Sequence, residues 1–377
     1  MGNEIKVGVI GVFRGEAFVR SAAEAGMKLV ALCDNWEEKL NAIKVGDDVA
    51  RYTDYDEFLT HDMDAVILAN YFHEHQPFAL KALKAGKHVM SETVCNFTVA
   101  EGVELCEAVE DSGLIYMLAE NYPFTKFNQE LRRLYRSGEL GEVTYAEGEY
   151  NHPMSEEDWK PYMPSPDHWR AWLPRGYYCT HALAPLMYIT ELMPKKVVGF
   201  EVTPCNGGWA AMCQMDSGAV FRLIGGGIPG HSNYYRIHGT KGAAEITRGP
   251  GYFGPEQVRV WHDHWDVPDG VPTERVYVPN WPVDPHLGKI AERSGHGGGD
   301  FWCDYFFAEA IRTGKQPFLD VYRGVAMSTL GIMMNRSMKA GNIPLEIPDF
   351  KCKTAREQYK NDTVRIGPNS FKDGGVY

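Results

Sequence analysis

Apolar residues follow two different rhythms along this chain. Through residue 119 they form short continuous runs separated by amphipathic stretches. Residues 5–12, IKVGVIGV, are a β-branched apolar run that ends in a glycine turn, as expected of a strand buried on both faces of a parallel sheet. Residues 16–26 read as a helix closed by Gly26, and residues 28–33 as a second strand ending at Asp34. The alternation continues with a short helix at 54–59, a strand at 64–69, a helix at 76–86 and a strand at 88–90 that runs into Ser91 and Glu92. A helix at 98–112 and a strand at 114–119 close the series. Repeated strand–helix units predict a doubly wound parallel sheet with right-handed crossovers. Ligands of such sheets bind beyond the carboxyl ends of the strands. The positions to watch are therefore Asn70 to His75, Glu92 and Thr93, and Glu120, Asn121 and Tyr122.

Beyond a helix at 127–137 the rhythm changes. Residues 143–150, 196–205, 210–215, 218–224, 233–238 and 257–262 read as strands, with Asp216-Ser217-Gly218 as a hairpin signal. Helices follow at 300–314 and 320–340, with Gly314 and Gly341 as their stops. Strands without intervening helices predict an open, mainly antiparallel sheet faced by helices. The expected fold class is α/β, an N-terminal doubly wound Rossmann sheet followed by an α+β domain. The length of 377 residues suits two domains. Residues 1–125 are expected to bind a dinucleotide and residues 126–377 a substrate, with the last helices returning to pack on the first domain.

Composition excludes several classes. Hydrophobic residues make up 44% and charged residues 23%, enough apolar surface to fold without staples. With 38 basic against 50 acidic residues the net charge is -12, and no basic run offers a local exception. Nucleic acid and anionic membrane surfaces are therefore not expected partners. Mean hydropathy is -0.34 and no apolar run approaches the ~18 residues that span a bilayer. The N-terminus has no basic segment leading into an apolar one, so no signal peptide is expected. Lys6 stands where a myristoylation signal wants Ser or Thr. The eight cysteines are scattered and never form CxxC, which predicts reduced thiols in the cytoplasm. His262-Asp263-His264 puts two imidazoles on one strand face, but with no further ligand in view no metal is expected.

The first strand–turn–helix unit carries the candidate cofactor chemistry. Gly11-Val12-Phe13-Arg14-Gly15 keeps two glycines of the dinucleotide fingerprint, lacks the middle one, and brings the last a residue early. A plain strand-to-helix turn is the alternative. Asp34 lies 23 residues beyond Gly11, near the ~20 expected of an acid that binds the ribose. A carboxylate there repels a 2′-phosphate and so favours NAD over NADP, whereas Arg14 can pair with a phosphate of either. With the strand-end positions, the expected NAD contacts are Gly11, Phe13, Arg14, Asp34, Asn70, His75, Glu92, Thr93 and Asn121.

Aromatic residues number 46: 17 Phe, 9 Trp and 20 Tyr. They crowd into residues 152–182, a stretch with three Trp and five Pro. Proline fixes φ, so a rigid binding loop is expected there, with His152, Trp169, Trp172 and Tyr177 against substrate. The alternative is a loop whose rings pack on the core. His181 is the candidate base, since imidazole titrates near neutrality. Tyr178, three residues earlier, is expected to share its helical face. The glycines of residues 296–300, HGGGD, suggest a loop of close approach with His296 touching substrate; a simple linker is the alternative.

These residues resemble the Gfo/Idh/MocA oxidoreductases over most of the chain. VGVIGVFRG is similar to the family's first strand and turn, and ALCD to its second strand and ribose acid. DAVILANYFHEHQPFALKALKAGKHVMSE is the strongest match; HGTKGAAEI and GGGDFW…LDVYRGVAMS follow. Two departures matter. The family's Glu-Lys-Pro is Glu92-Thr93-Val94 here, and Tyr177 replaces the Asp often found four residues before the catalytic His. The lysine relay cannot be carried over. Glycoside hydrolase family 109, the NAD-dependent α-N-acetylgalactosaminidases, also lacks that lysine. This chain resembles that branch at Glu120 in AENYPF, at Tyr150 in GEYNH, and at Tyr178 and His181 in YYCTHALAP, with HGGGDF as a late motif. Glycoside 3-oxidising dehydrogenases of the superfamily are similar as well.

The resemblance implies NAD as cofactor, His181 as base, Tyr178 as orienting partner, and Glu120 and Tyr150 as anchors for hydroxyls. It implies removal of a hydride from a ring hydroxyl, at C3, of a sugar or glycoside. The alternatives are a redox-assisted glycosidase, in which oxidation acidifies the C2 proton and permits elimination, and a non-catalytic NAD-binding sensor. A homo-oligomer paired through the open sheet is also implied.

Overall fold

The computed structural model describes residues 4–163, 168–205, 207–248 and 255–367. The first part of the chain alternates as its pattern predicts: β1 Ile5–Ile10, α1 Val12–Ser21, β2 Met27–Cys33, α2 Glu37–Ala42, β3 Ala50–Tyr52, α3 Tyr55–Leu59, β4 Ala65–Leu68, α4 His75–Lys84, β5 His88–Ser91, α5 Val99–Ser112 and β6 Tyr116–Leu118. All six strands run parallel in the order β3-β2-β1-β4-β5-β6. Val7, Val9, Val66, Ile67, Val89 and Met90 are fully buried, so the continuous apolar runs are strands covered on both faces. Helix α5 shows local sequence control. Thr98 and Glu101 exchange hydrogen bonds in a capping box, and Gly113 ends the helix at φ +65°.

Helix α1 begins at Val12, four residues before the expected start. Gly11 takes φ +86°, so the chain reverses at once and the turn itself becomes the helix N-terminus. The short helix α2 and strand β3 escaped the sequence pattern because six and three residues carry too little periodicity.

The chain continues with α6 Lys126–Arg136, β7 Val143–Asn151, two single-turn helices α7 Glu156–Trp159 and α8 Trp169–Trp172, α9 Thr180–Thr190, β8 Pro194–Val202, β9 Gly208–Met215, β10 Val220–Gly226, β11 Ser232–Gly239, β12 Ala243–Arg248, β13 Pro255–Trp261, β14 Glu274–Tyr277, α10 Pro285–Ala291, α11 Gly299–Thr313, α12 Val321–Lys339, β15 Leu345–Glu346 and α13 Lys353–Glu357. Nine strands form one sheet in the order β14-β13-β12-β11-β7-β10-β9-β8-β15. Its neighbours pair antiparallel, as expected, except β7 with β10. The parallel pair follows from β7 being the first strand of the sheet yet lying between β10 and β11.

Two compact units result. The first is Met1–Asn121, Lys289–Ser328 and Phe350–Arg365; the second is Tyr122–Gly288, Thr329–Asp349 and Ile366–Tyr377. The division thus differs from a single cut near 125. Helix α11 joins the first unit because it lies on α1: the Ser21 hydroxyl donates to Asp304, and Arg312 donates to the carbonyls of Ala25 and Gly26.

In the second unit, α9 is buried along its whole length. It reads apolar all round, as a helix enclosed in a core does. It meets β7 where that strand has no side chain, for a Cβ on Gly148 would lie 2.0 Å from the Ala182 carbonyl oxygen. Tyr235, the partner of Gly148 on β11, donates its hydroxyl to the His181 carbonyl at 2.6 Å. The first turn of α9 is therefore fixed over β7 and β11. Gly148→Ala should force that turn off the sheet at a cost of about 2 kcal/mol, lowering the melting temperature by about 5 °C. A melting temperature within about 1 °C of wild type by calorimetry would contradict this packing account.

Candidate active site

Four of the expected cofactor positions are built by the ends of β1, β2, β4 and β5. A Cβ on Gly11 would lie 2.2 Å from the Ala69 carbonyl, and one on Gly15 would lie 2.6 Å from Val9. The two glycines thus divide the fingerprint's work: Gly11 makes the turn, and Gly15 lets α1 lie against β1. Asp34 holds the adjoining loops, accepting from the Val12 and Trp36 amides, each at 2.8 Å. Phe13 and Trp36 leave about half of their surface in solvent. Beyond β4, the Asn70 carboxamide has neither Nδ2 nor Oδ1 hydrogen-bonded among the described residues, and the Thr93 hydroxyl beyond β5 is likewise unbonded. A Cβ-free turn together with unsatisfied amide and hydroxyl groups at the strand ends suits a ligand rich in hydroxyls and phosphates. His75 is buried, with its ring nitrogens against the carbonyls of Val94 (2.9 Å) and Asn70 (3.2 Å). Burial pushes its pKa down, favouring the neutral ring, which donates its one N–H to one of these two carbonyls.

A charged cluster stands beside these positions, also in the first unit. Arg14 pairs through Nε with Glu92 (2.6 Å) and through Nη2 with Asp300 (2.7 Å). Asp300 is almost completely buried and also accepts from Asn121 Nδ2 and His296 Nδ1, both at 2.9 Å. Burial alone would raise the pKa of Asp300. The His296 hydrogen bond and the Arg14 charge outweigh it and hold the carboxyl well below the usual range. One turn along α11, Asp304 has only the Ser21 hydroxyl on Oδ2, at 2.6 Å. Burial pushes its pKa well above the usual range and favours the neutral acid. The HGGGD segment places His296 against Asp300, with His296 and Gly297 both at positive φ.

The second unit gathers rings around His181. Its imidazole centroid lies 4.4 Å from that of Tyr150, 4.6 Å from Tyr122 and 4.8 Å from Tyr178. Tyr150 and Tyr178 meet each other at 6.3 Å, and Tyr122 and Tyr150 at 5.3 Å. Strand β7 presents Tyr150, and His152 follows just past the strand's end at Asn151. Their rings are 5.7 Å apart. His231, just before β11, stands edge-on to His152 at 4.6 Å. Asn233 Nδ2 reaches the Tyr122 hydroxyl at 3.5 Å.

Three of the four expected catalytic residues, His181, Tyr178 and Tyr150, are thus in one cluster. Glu120 is fully buried and belongs to the first unit, next to Asn121. Tyr178 reaches His181 by a different route from the helical spacing expected: it lies outside α9, which starts at Thr180. In the aromatic stretch, residues 164–167 lie outside the described residues. Trp169 is buried, with the Arg170 guanidinium 4.2 Å over its ring. Tyr177 is buried against Gly331. Trp172 is half-buried. Trp169 and Tyr177 therefore pack into the unit, the alternative the sequence had left open for them. Sequence reasoning did not single out Trp36, His231 and Asp300, and it marked Tyr122 only as a strand-end position. Tyr122 and Asp300 each end a motif already singled out, AENY and HGGGD; nothing in the local pattern marks His231.

Residues 5–120 match the model of the Gfo/Idh/MocA oxidoreductase family, NAD-binding Rossmann fold. Residues 229–360 match that of the glycosyl hydrolase 109 C-terminal domain. The chain is similar to a glycosyl hydrolase family 109 protein of Phocaeicola vulgatus, 26% identical over 401 residues, which cover 92% of this chain and 84% of that protein. It is equally similar to one of Saccharopolyspora erythraea, 26% identical over 395 residues, covering 92% and 83%. Its fold is shared with an oxidoreductase domain protein from Kribbella flavida (20% identity, TM-score 0.74, covering 92% of this chain and all of that one). It is also shared with levoglucosan dehydrogenase in complex with NADH and levoglucosan (18% identity, TM-score 0.73, covering 92% and 99%).

The two buried aspartates of α11 should respond oppositely to neutralisation. Asp300→Asn strands Arg14 beside one acid and should lower stability at pH 7 by about 3 kcal/mol in urea unfolding. Asp304→Asn replaces a carboxyl whose charged form burial already disfavours, and should cost less than about 1 kcal/mol. The folded pKa of Asp300 is depressed, so its contribution is complete above pH ~4 and fades as pH falls through the folded value. The gap between wild type and Asp300→Asn should therefore narrow below pH ~4; equal costs for the two variants at pH 7 would contradict the assignment.

Proposed function

We propose that this chain, whose residues 5–120 match the NAD-binding Rossmann fold of the Gfo/Idh/MocA oxidoreductases and whose residues 229–360 match the glycosyl hydrolase 109 C-terminal domain, oxidises a ring hydroxyl, at C3, of a sugar or glycoside. The observation that carries this reading is the single imidazole of His181 enclosed by the phenols of Tyr122, Tyr150 and Tyr178. An imidazole can take the hydroxyl proton, and phenols on three sides can each donate to or accept from neighbouring sugar hydroxyls. The rings also offer apolar faces for the C–H surface of a sugar.

His181 takes the proton of the hydroxyl being oxidised. The Tyr235 hydroxyl holds the His181 backbone carbonyl, so the first turn of α9 cannot drift while this happens. Tyr178 and Tyr150 orient the ring through their hydroxyls, and His152 meets the sugar at the edge of the cluster. Bound NAD supplies the hydride acceptor. Gly11, Asn70 and Thr93 would hold it, and Asp34 would take its ribose hydroxyls and reject a 2′-phosphate. Arg14 and Glu92, paired with one another, shape the same strand ends.

A second reading completes the first as a glycosidase: oxidation at C3, elimination across C1 and C2, water addition and return of the hydride. It is favoured by the match of residues 229–360 to the glycosyl hydrolase 109 C-terminal domain and by the names of the similar curated proteins. We also infer a cytoplasmic homo-oligomer. The eight cysteines are all free thiols, and Phe200 and Met212 are largely exposed on the nine-stranded sheet, where a second copy would cover them.

A panel of p-nitrophenyl glycosides, with and without added NAD, tests these readings. Release of nitrophenol without accumulation of NADH would sink the simple dehydrogenase; NADH without release would sink the glycosidase. Neither response across the panel would favour an NAD-binding sensor. His181→Ala should lower kcat at least about 100-fold with NAD affinity unchanged. A near-normal rate would refute His181 as the base.

A further inference from the structure

Four rings stand in a row in the second unit: His181, Tyr150, His152 and His231, each in contact with the next at centroid separations of 4.4, 5.7 and 4.6 Å. A dehydrogenase needs one proton acceptor. The row adds a second pair of imidazoles, joined to Tyr150 through His152. His152 follows just past the end of β7, two residues after Tyr150. The backbone at His152 is held by its amide hydrogen bond to the Gly226 carbonyl at 2.9 Å.

The partner ring has a fixed tautomer. His231 Nδ1 lies 2.7 Å from the Asn151 carbonyl. A carbonyl only accepts, so Nδ1 carries the hydrogen. Burial first, and repulsion from His152 second, push the His231 pKa down to about 4. Near neutrality His231 is therefore a neutral ring and sets no positive charge beside His152.

We propose that His152 is the second base of the site, the group that removes the C2 proton of a 3-keto glycoside, with His231 as its positioning residue. This rests on the oxidation–elimination reading above. The step balances as follows. Oxidation at C3, with NAD as the two-electron acceptor and His181 as the proton acceptor, leaves a ketone. His152 then takes the proton from C2. The C2–H electron pair becomes the C1–C2 double bond. The C1–O bond breaks, its pair leaves with the aglycone oxygen, and that oxygen takes up a proton. The substrate class is accordingly a glycoside with a hydrogen on C2 and a leaving group on C1, and an aglycone-free polyol would stop at the ketone.

The test is made in D2O on the full-length protein with NAD and a p-nitrophenyl glycoside that wild type cleaves. Oxidation is read as NADH formed in a single turnover, C2 exchange as deuterium in the recovered sugar, and cleavage as nitrophenol. His152→Asn and His152→Gln should each lower exchange and cleavage at least about 30-fold more than they lower oxidation. Imidazole added to His152→Ala should restore exchange. His231→Asn should lower exchange with a smaller effect on oxidation. Deuterium at C2 at near-wild-type rate in both His152 variants would overturn the assignment while leaving the oxidation–elimination reading intact. An equal fall of oxidation and exchange, with NAD affinity unchanged, would overturn it too, by making His152 a binding group. If wild type oxidises glycosides but shows neither C2 exchange nor cleavage, the reading itself fails and the proposal with it.

Discussion

Helix α9 can lie directly on β7 only because position 148 carries no side chain. The helix is buried all round, so it has nowhere else to go, and the Tyr235 hydroxyl ties its first turn to β11. Everything proposed for the second unit depends on this contact. It brings His181, which would otherwise be an ordinary buried histidine, edge to edge with Tyr150. The cluster is thus set by backbone proximity before any side chain chooses a rotamer, which is the kind of support a proton-transfer group needs.

The first unit solves a different problem. Two aspartates one turn apart on α11 are both withdrawn from water, and their environments push them in opposite directions. Asp300 stays charged because Arg14, His296 and Asn121 converge on it; Asp304, with a single hydroxyl, is pushed by burial towards the neutral acid. The charged one links α1, the β5 end and the HGGGD turn through Arg14 and His296. In this way α11, nearly 300 residues after β1, becomes part of the strand-end structure that would receive NAD.

The repeating units of the first half were legible because continuous apolar runs and glycine stops have a direct physical cause in a two-face-buried sheet. The second sheet was legible as alternation, but its order was not. Pairing β7 with β10 and β11 depends on long-range packing that no local window contains. His181, Tyr178 and Tyr150 could be picked out through a family resemblance, whereas His231 could not. Its importance comes from the Asn151 carbonyl and the His152 ring, both some 80 residues away in sequence. The aromatic excess was a useful signal that needed sorting. Trp169 and Tyr177 are buried, and Tyr122, marked only as a strand-end position, lies beside the imidazole.

The central claim is that the rings around His181 hold the hydroxyl to be oxidised. A crystal structure of the protein with NAD and a bound, uncleaved glycoside tests it most directly. The account predicts one ring hydroxyl within about 3 Å of an imidazole nitrogen of His181, with the sugar bordered by Tyr150 and Tyr178. A glycoside bound with its hydroxyls directed at other residues, and the His181 imidazole out of hydrogen-bond reach of all of them, would contradict it.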